Sequence, residues 1–581
     1  MIIGFLPHQE GVDAGAALND LLPRLNENSN GINELNQVHS FGTRRLAIIK
    51  SAGSIAPCIS VVTYPQGQLV VLSDAPLQDS ERNEQQLIPE APLSWRLPGR
   101  WLTISIPIED RDSIQWATDP IGAQWFYFGV VRQGMLFSDN FRTVVQLSAS
   151  DRNLDPHALC RALVLGYNLG QETVVPGIKL APGGCAFEWR SGDFRILRTH
   201  QIRYGDALAS ASKSVREAKV EESFHEAALA WKDILPTRTG LSLSAGLDSR
   251  TALAYLKRVG VNPLLFTFGQ PGSLEVTNAQ EMARLVGQET KVFDIPSASW
   301  GDWRTNVQRL GAVGPVQNCG WVGAWLEMLA KEADAVVHGY LGDALTGKHL
   351  TDATPEQQKD WVSYWVNWSI GTGWDTWPGL HEHWRNNLTN RLQADFRAVV
   401  DGLMVAFPHQ VALHLDFYCR QRRWVASQAN EISTKLQPVC FFYHPAIWEV
   451  WSNLPLEELN RQTLYQRTGH NLFPNLFQRP VSHTEELMRR AQRKIKRIVT
   501  GSIAPSAEKP RVIERRRVLK STQRNIIKQL EESRYLLDCV VDVDYVLARV
   551  KDIDAQNVSE NECARIIRVI NLSHLLNILI K

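Results

Sequence analysis

Leu241-Ser242-Leu243-Ser244-Ala245-Gly246-Leu247-Asp248-Ser249-Arg250 is the stretch on which the reading of this chain turns. An apolar run broken by polar residues, Ile234 to Leu243, enters a loop of small side chains. A helical pattern, Thr251-Ala252-Leu253-Ala254-Tyr255-Leu256, follows it. Strand, tight loop and helix in succession aim backbone N–H groups and the positive end of a helix at one point, an arrangement suited to an anion. Ser244 and Ser249 add hydroxyl donors, and Asp248 is a carboxylate placed where a phosphate-bound cation would need one. A plain βα turn closed by small residues is the competing explanation. The G-x-x-x-x-G-K-[ST] pattern is absent, so this is not the usual P-loop.

Outward from this loop, strands alternate with helices. Upstream, Ser214 to Leu235 reads as a helix, with Val220, Phe224, Ala227, Ala228 and Trp231 at helical spacing. Downstream come a strand at Pro263 to Phe268, a helix at Val276 to Val286 and a strand near Lys291 to Ile295. This alternation predicts a parallel sheet covered by helices, with ligands at the carboxyl ends of its strands. Two more strand ends carry suitable residues. In Thr267-Phe268-Gly269-Gln270-Pro271-Gly272-Ser273-Leu274-Glu275 the strand ends in glycine, so its backbone can pass close to a flat ring. In Val336-Val337-His338-Gly339-Tyr340-Leu341-Gly342-Asp343 an apolar strand runs into glycines and a carboxylate. Mg²⁺ takes one or two protein carboxylates besides phosphate oxygens and water, and Asp248 and Asp343 form the natural pair. Each alone is as well explained as a helix cap or a turn residue; the three segments together, in this order, are the stronger signal.

The first two hundred residues or so read differently. Ile55 to Tyr64, Gln68 to Leu72, Trp101 to Pro107 and Phe126 to Arg132 are short β-branched or aromatic runs. Gly, Pro, Asn and Asp clusters separate them. Gln133-Gly134 and Met135 to Ser138 suggest a hairpin, and Asp155 before Pro156 suggests a capped helix through Leu165. Strands at Cys185 to Trp189 and Phe194 to Ile196 flank Ser191-Gly192-Asp193. The change of pattern near residues 200–215 divides the chain into an expected first domain, 1–205, and a second, 206–581.

Beyond Trp300 the pattern is mostly helical. Ten of the 19 tryptophans fall between Trp300 and Trp384, with Trp361, Trp365 and Trp368 at helical spacing. They fit a helical core, and they also permit an aromatic cleft for a peptide-like substrate. Arg489 to Lys528 carries fourteen Lys and Arg against two Glu, either a solvated helical face or a surface for phosphates or an acidic partner. The final stripe, Leu572, Leu575, Leu576, Leu579 and Ile580, is too short and too interrupted to span a membrane.

The 581 residues exceed what one core organises, and two or three domains are expected. A net charge of +1 argues against nucleic acid as an overall partner. Met1 to Leu6 lacks a basic n-region and reads as a first strand, not a signal peptide. The eight cysteines are scattered, with no C-x-x-C pair, so neither a zinc site nor a disulfide framework is indicated. A cytoplasmic location is the expectation.

With these motifs in hand, the chain resembles the asparagine synthetase B superfamily over nearly its whole length. Ser244 to Ser249 matches the S-G-G-x-D-S pyrophosphate loop, with Ala245 for the first glycine. Phe268-Gly269 matches the strand ending before a glycine, followed by the acidic Glu275. His338 to Ala344 matches S-G-E-G-x-D-E loosely outside the glycines and the Asp. Asp119-Pro120-Ile121-Gly122 and Pro182-Gly183-Gly184 match the D-P-x-G and P-P-G segments of the glutaminase-type domain. The resemblance implies an N-terminal-nucleophile-type αββα sandwich, α+β in class. A doubly wound ATP-pyrophosphatase-type α/β domain with a large helical C-terminal part would follow it. It also implies ATP and Mg²⁺, with Leu243, Ser244, Gly246, Asp248, Ser249, Phe268, Gly269, His338 and Gly339 at the nucleotide. Asp248 and Asp343 would act as metal ligands and catalytic groups.

Departures select the branch. Glutamine-dependent members use a cysteine directly after the initiator methionine, where this chain has Ile2, so no glutamine hydrolysis is expected. Members without that cysteine include β-lactam-type synthetases and lasso peptide cyclases. Gly339 to Gly347 looks more like the cyclase version. That likeness implies a leaderless core peptide as substrate, its Asp or Glu side chain adenylated and then attacked by its own N-terminal amine. A leader peptidase and a leader-recognition protein would be pathway partners. A different amide ligase of the superfamily, or a scaffold of a biosynthetic complex, remains open. The family's C-terminal catalytic lysine has no match: in Gln478-Arg479-Pro480-Val481, Val481 stands at its place. Arg420, Arg422 and Arg423, on an expected helix Phe417 to Ser427, are either near the site or engaged elsewhere.

Overall fold

The computed structural model describes residues 2–7, 13–21, 39–41, 46–50, 58–64, 67–74, 98–107, 113–131, 134–148, 153–190, 193–269, 272–293, 325–351, 353–371, 373–478, 515–553 and 558–580. The chain has a mixed α/β architecture: two antiparallel sheets, one parallel sheet and many helices.

The first sheet has the order β10-β8-β9-β1-β3-β2. Its strands are β1 (Ile2–Pro7), β2 (His39–Phe41), β3 (Leu46–Lys50), β8 (Tyr127–Val131), β9 (Gly134–Ser138) and β10 (Ile178–Leu180). The second has the order β12-β11-β7-β6-β5-β4. It comprises β4 (Cys58–Tyr64), β5 (Gly67–Ser73), β6 (Trp101–Pro107), β7 (Ser113–Thr118), β11 (Cys185–Arg190) and β12 (Asp193–Thr199). Alternation of apolar side chains gives each sheet an inner face. Leu6, Ile48, Met135 and Phe137 of the first interleave with Val70, Leu72, Leu102, Ile104, Trp116 and Phe187 of the second. On the other face of the first sheet, Ile3, Phe5 and Leu136 pack with three helices. These are α1 (Ala14–Leu21), α2 (Phe141–Leu147) and α3 (Pro156–Leu165). Asp155 caps α3 as its sequence suggests, accepting from the N–H groups of His157 at 2.8 Å and Ala158 at 3.3 Å.

The third sheet is parallel, with the order β15-β14-β13-β16-β17. Its strands are β13 (Thr239–Ser242), β14 (Leu264–Phe268), β15 (Thr290–Phe293), β16 (Ala335–His338) and β17 (Gln437–Cys440). Helix α4 (Lys213–Lys232) leads into it. Helices α5 (Leu247–Arg258) and α6 (Leu274–Leu285) make the crossovers from β13 to β14 and from β14 to β15. Of the tryptophan run, Trp300, Trp303 and Trp321 lie outside the described residues; Trp325, Trp361, Trp365, Trp374, Trp377 and Trp384 are buried, and Trp368 is 38% exposed. Leu572, Leu575 and Leu576 are buried on the last helix, Glu560–Ile580, which bonds the first part of the chain through Arg568 Nη1 to the Leu163 carbonyl at 3.3 Å. Among the described residues no helix is long and apolar enough to cross a membrane.

A ten-residue π-helix, Asp416–Val425, joins the sheets, and it accounts for the arginines that the sequence left unassigned. Arg422 donates to the carbonyls of Gly122 at 3.3 Å and Gly170 at 3.1 Å, and to that of Ala181. Arg423 donates to the carbonyls of Glu172 and Gly170, and burial pulls its guanidinium down to about 9. The D-P-x-G and P-G-G segments meet under this helix. Gly184 N–H donates to the Asp119 carbonyl at 2.8 Å, and a Cβ on Gly122 (φ +70°) would lie 2.7 Å from Gly183 Cα. Asp119 accepts from the N–H groups of Ala123 and Gln124 and from the Tyr443 hydroxyl. Replacing Arg422 by Leu takes the donor from two buried carbonyls, those of Gly122 and Ala181, and urea denaturation should register a loss of about 2–4 kcal/mol.

Candidate functional site

The order of the parallel sheet fixes where a ligand can enter. From β13 the chain moves to β14 and β15 on one side, then returns to β16 and β17 on the other. The loops leaving β13 and β16 therefore part in opposite directions, opening a crevice between their carboxyl ends. Leu243 to Gly246 follows β13, and Gly339 to Leu341 follows β16.

The first loop is stitched from within. Leu243 N–H bonds the Phe266 carbonyl at 2.8 Å. The Ser244 N–H donates to Ser249 Oγ at 3.1 Å, the two hydroxyls lie 3.2 Å apart, and Gly246 N–H donates to Ser244 Oγ at 3.1 Å. The serine hydroxyls thus hold the loop's shape as well as facing its mouth. Gly246 precedes α5 in extended conformation with no side-chain cap, which leaves the first turn of a twelve-residue helix open to an anion. Ala245 N–H instead donates to Glu275 Oε2 at 2.7 Å. Ala245 is not among the described residues with positive φ, so its methyl group stands in an ordinary backbone conformation. Ala245→Gly should accordingly cost about 0.4–1 kcal/mol in urea melts, through the freer unfolded chain, and leave nucleotide affinity intact.

Asp248 and Asp343 come together across the crevice. Asp248 is half-buried, with its carboxylate pressed on the turn after β16. A Cβ on Gly342 would lie 2.3 Å from Asp248 Cγ, and one on Gly339 would lie 3.0 Å from Asp248 Cβ. Burial, then the charge of Asp343, push the Asp248 carboxyl well above the usual carboxylate range. Tyr465 Oη donates to Asp248 Oδ1 at 3.2 Å. Asp343 opens a short helix, α7 (Gly342–Leu345), and its Oδ2 pairs with Lys348 Nζ at 2.7 Å. Backbone strain gathers here. Leu341 sits at φ 72°, and Arg461 and Gln462, at φ 54° and 55°, precede the Thr463–Leu472 helix that carries Tyr465. Left-handed conformations at non-glycine residues cost about 1–2 kcal/mol each and persist only where the surroundings enforce them.

The remaining expected nucleotide residues are distributed as follows. Gly269 ends β14 at φ +133°, reachable only by glycine, and its N–H bonds the Phe293 carbonyl at 3.2 Å. Phe268 stacks on Trp325, centroids 6.1 Å apart and 1° from parallel, so its ring is engaged in packing. Gly339 lies against Asp248. His338 turns inward, its Nε2 3.4 Å from Cys440 Sγ, and burial, then Arg100, pull the imidazole down to about 3. The contact with Cys440 engages Nε2 of the ring. Arg479, Val481 and the first part of the basic segment, 489–514, lie outside the described residues. Sequence reasoning gave no role to four neighbours: Glu275, Lys348, Arg250 and Tyr465. Arg250 is buried, donating to the carbonyls of Ala245 at 2.6 Å and Leu476 at 3.0 Å. Lys348, five residues after Asp343, was within reach of inspection; Tyr465, 217 residues from its partner, carried no local signal.

The donor set suits a phosphate-bound Mg²⁺. Asp248 stands in the uncapped first turn of α5 and its charge is disfavoured by that of Asp343, and Mg²⁺ completes its shell with phosphate and water. Among the described residues no group of three or more His, Cys, Asp or Glu could hold a metal ion by itself. No family model matches this chain, and no curated protein does. Solved structures with weak similarity to this chain include the following two. Glutamine phosphoribosylpyrophosphate amidotransferase from B. subtilis, complexed with ADP and GMP, is 10% identical at a TM-score of 0.22, over 47% of this chain and 66% of that one. An allosteric regulatory enzyme of purine biosynthesis is 11% identical at a TM-score of 0.21, over 58% of this chain and 79% of that one. Both are enzymes; likeness at this level carries no argument about what the present chain does.

Proposed function

We propose that this chain is an ATP- and Mg²⁺-dependent amide ligase of asparagine synthetase B type. It would adenylate an Asp or Glu side chain of a leaderless core peptide and close a macrolactam with the peptide's N-terminal amine, releasing AMP and pyrophosphate. The observation that carries this reading is the meeting of Asp248 and Asp343 at the switch point of a parallel sheet, in front of the open N-terminus of α5. The two antiparallel sheets packed face to face, with helices outside the first, support an N-terminal-nucleophile-type first domain. Cys160, Cys185, Cys419 and Cys440 are buried, and burial pushes each thiol up, Cys185 to about 11.

Each residue has work to do in such a reaction. The first-turn N–H groups of α5 receive the departing pyrophosphate, where negative charge accumulates. Mg²⁺, held by Asp248 and Asp343, would supply charge neutralisation for the same group. The Lys348 ammonium pairs with Asp343 Oδ2 at 2.7 Å and so fixes where that carboxylate stands. Holding both ends of one peptide in the crevice replaces a bimolecular encounter. A precursor peptide, a leader peptidase and a leader-recognition protein would be its cytoplasmic partners.

The test uses the protein with Mg²⁺, ATP and the core of a short precursor encoded beside it. Pyrophosphate should be released, and mass spectrometry should show the peptide one water lighter. Absence of both nucleotide binding and pyrophosphate release removes the ligase reading. Pyrophosphate release without loss of water from any core peptide removes the macrolactam part alone.

A further inference from the structure

The strongest feature that this scheme leaves unused lies one residue beyond Lys348. His349 is half-buried on the 3₁₀ turn Lys348–Leu350, and its Nδ1 lies 2.6 Å from Asp416 Oδ2 on the π-helix. Asp416 is almost wholly buried. Its burial would push the carboxyl up, but His349, then Arg420 and Gln421, hold it below the usual carboxylate range. Its other oxygen accepts from Gln421 Nε2 at 3.1 Å and lies 3.5 Å from Arg420 Nη1. An ionised carboxylate only accepts, so Nδ1 is the nitrogen that donates to it, and in a neutral ring so held the lone pair is on Nε2. Among the described residues Nε2 has no hydrogen-bond partner.

The surroundings fix this ring and leave one side of it approachable. Tyr364 of the Trp361–Ile370 helix donates to the His349 carbonyl at 2.6 Å. The Trp368 ring lies 5.2 Å from the imidazole, and Trp368 is the tryptophan that stays exposed while its neighbours are buried. Arg420 stands over both Trp368 at 5.4 Å and Trp424 at 4.7 Å. The charged and titratable groups around the ring are thus Asp416 and Arg420 from the π-helix, Tyr364 from the facing helix, and Lys348 on its own turn. Lys348, the residue before it, pairs with Asp343 Oδ2 at 2.7 Å, which ties this turn to one carboxylate of the crevice.

We propose that His349, oriented by Asp416, is the general base that takes the proton from the attacking amine. This rests on the amide-ligase reading of the same site. In the step, the amine nitrogen bonds the carbonyl carbon of the adenylated carboxylate. The bond from that carbon to the phosphate oxygen breaks, with its electron pair leaving on AMP. The proton shed by the nitrogen passes to Nε2, while Nδ1–H stays on Asp416. The imidazolium then stands beside a carboxylate that stabilises it, the usual reason for pairing the two groups. A buried Asp–His pair could also serve merely to pin the turn to the π-helix, and the experiment separates these roles.

The measurement compares wild type with His349→Asn, which keeps a donor for Asp416 but cannot take the proton, and with Asp416→Asn. Two readouts run in parallel with Mg²⁺, ATP and the core peptide. One is macrolactam formation across pH. The other is hydroxamate formation with added hydroxylamine, a nucleophile that needs no base to attack the activated carboxylate. His349→Asn should lower macrolactam formation about 10²-fold or more and leave hydroxamate formation near wild type. Asp416→Asn should do the same more weakly. Equal loss of both products makes the pair structural and overturns the proposal, as does wild-type macrolactam formation in His349→Asn. If wild type yields neither hydroxamate nor pyrophosphate, the ligase reading itself fails and takes this proposal with it.

Discussion

Asp248→Asn should abolish pyrophosphate release and, at the same time, make the protein harder to melt. Activity falls by about 10²–10³-fold because a neutral amide cannot share a phosphate-bound cation with Asp343. Stability rises for the reason that sets the carboxyl's acidity: burial and the neighbouring Asp343 both disfavour its charge. The sign follows from linkage. A carboxyl whose folded-state pKa exceeds its unfolded value of about 3.9 binds its proton more tightly when folded. The folded state therefore loses stability as pH rises through that interval and stays penalised above it. Asn carries no such penalty and can still accept from Tyr465 through its carbonyl oxygen. Thermal melts of both proteins should coincide best at acid pH and diverge, variant above wild type, toward pH 8. A variant that melts below wild type at pH 8, or that releases pyrophosphate at the wild-type rate, contradicts the account. Stability forfeited at a site is a common mark of function.

Much of this arrangement is legible in the chain because it is local. Asp155 before Pro156 announces a cap, and the structure has it. The loop Ser244 to Ser249 lies between a strand and a helix because small residues allow the turn and Asp248 favours a helix N-terminus. Strand starts shift by a residue: Pro263 to Phe268 is expected and Leu264–Phe268 observed, and the strand expected from near Lys291 begins at Thr290, with 294 and 295 outside the described residues. What could not be read is long-range. Nothing near Arg422 says that its acceptors are carbonyls some 240 to 300 residues away. Nothing near Asp119 points to Tyr443, nor near Asp416 to His349. The π-helix is likewise hidden, since a widened turn is imposed by what its side chains must reach, not by intrinsic preference. The serine hydroxyls were read as donors aimed at a ligand, and they are also committed to one another, a choice that depends on the loop's exact closure.

Gly342→Ala should remove Mg²⁺-dependent activity almost as completely as the loss of Asp248. The added methyl group would sit 2.3 Å from Cγ, 2.4 Å from Oδ2 and 2.5 Å from Oδ1 of Asp248, all closer than the 3.0 Å that real Cβ atoms respect. The backbone at Gly342 is not in the left-handed region, and the three atoms nearest to the added methyl group all belong to the Asp248 carboxylate. Either Asp248 swings out of the crevice or the turn after β16 retreats; both separate Asp248 from Asp343, and pyrophosphate release should drop about 10²-fold or more. Gly339→Ala meets Asp248 Cβ at 3.0 Å and should be milder. The decisive measurement is a double-mutant cycle read by ATP binding and by urea melts. In an Asp248→Ala background the carboxylate is gone, so Gly342→Ala should cost next to nothing there, leaving a coupling of about 1–3 kcal/mol between the two positions. If Gly342→Ala costs the same in both backgrounds, the glycine serves the turn and not the carboxylate. The contact between Asp248 and the turn after β16 would then be incidental to the site.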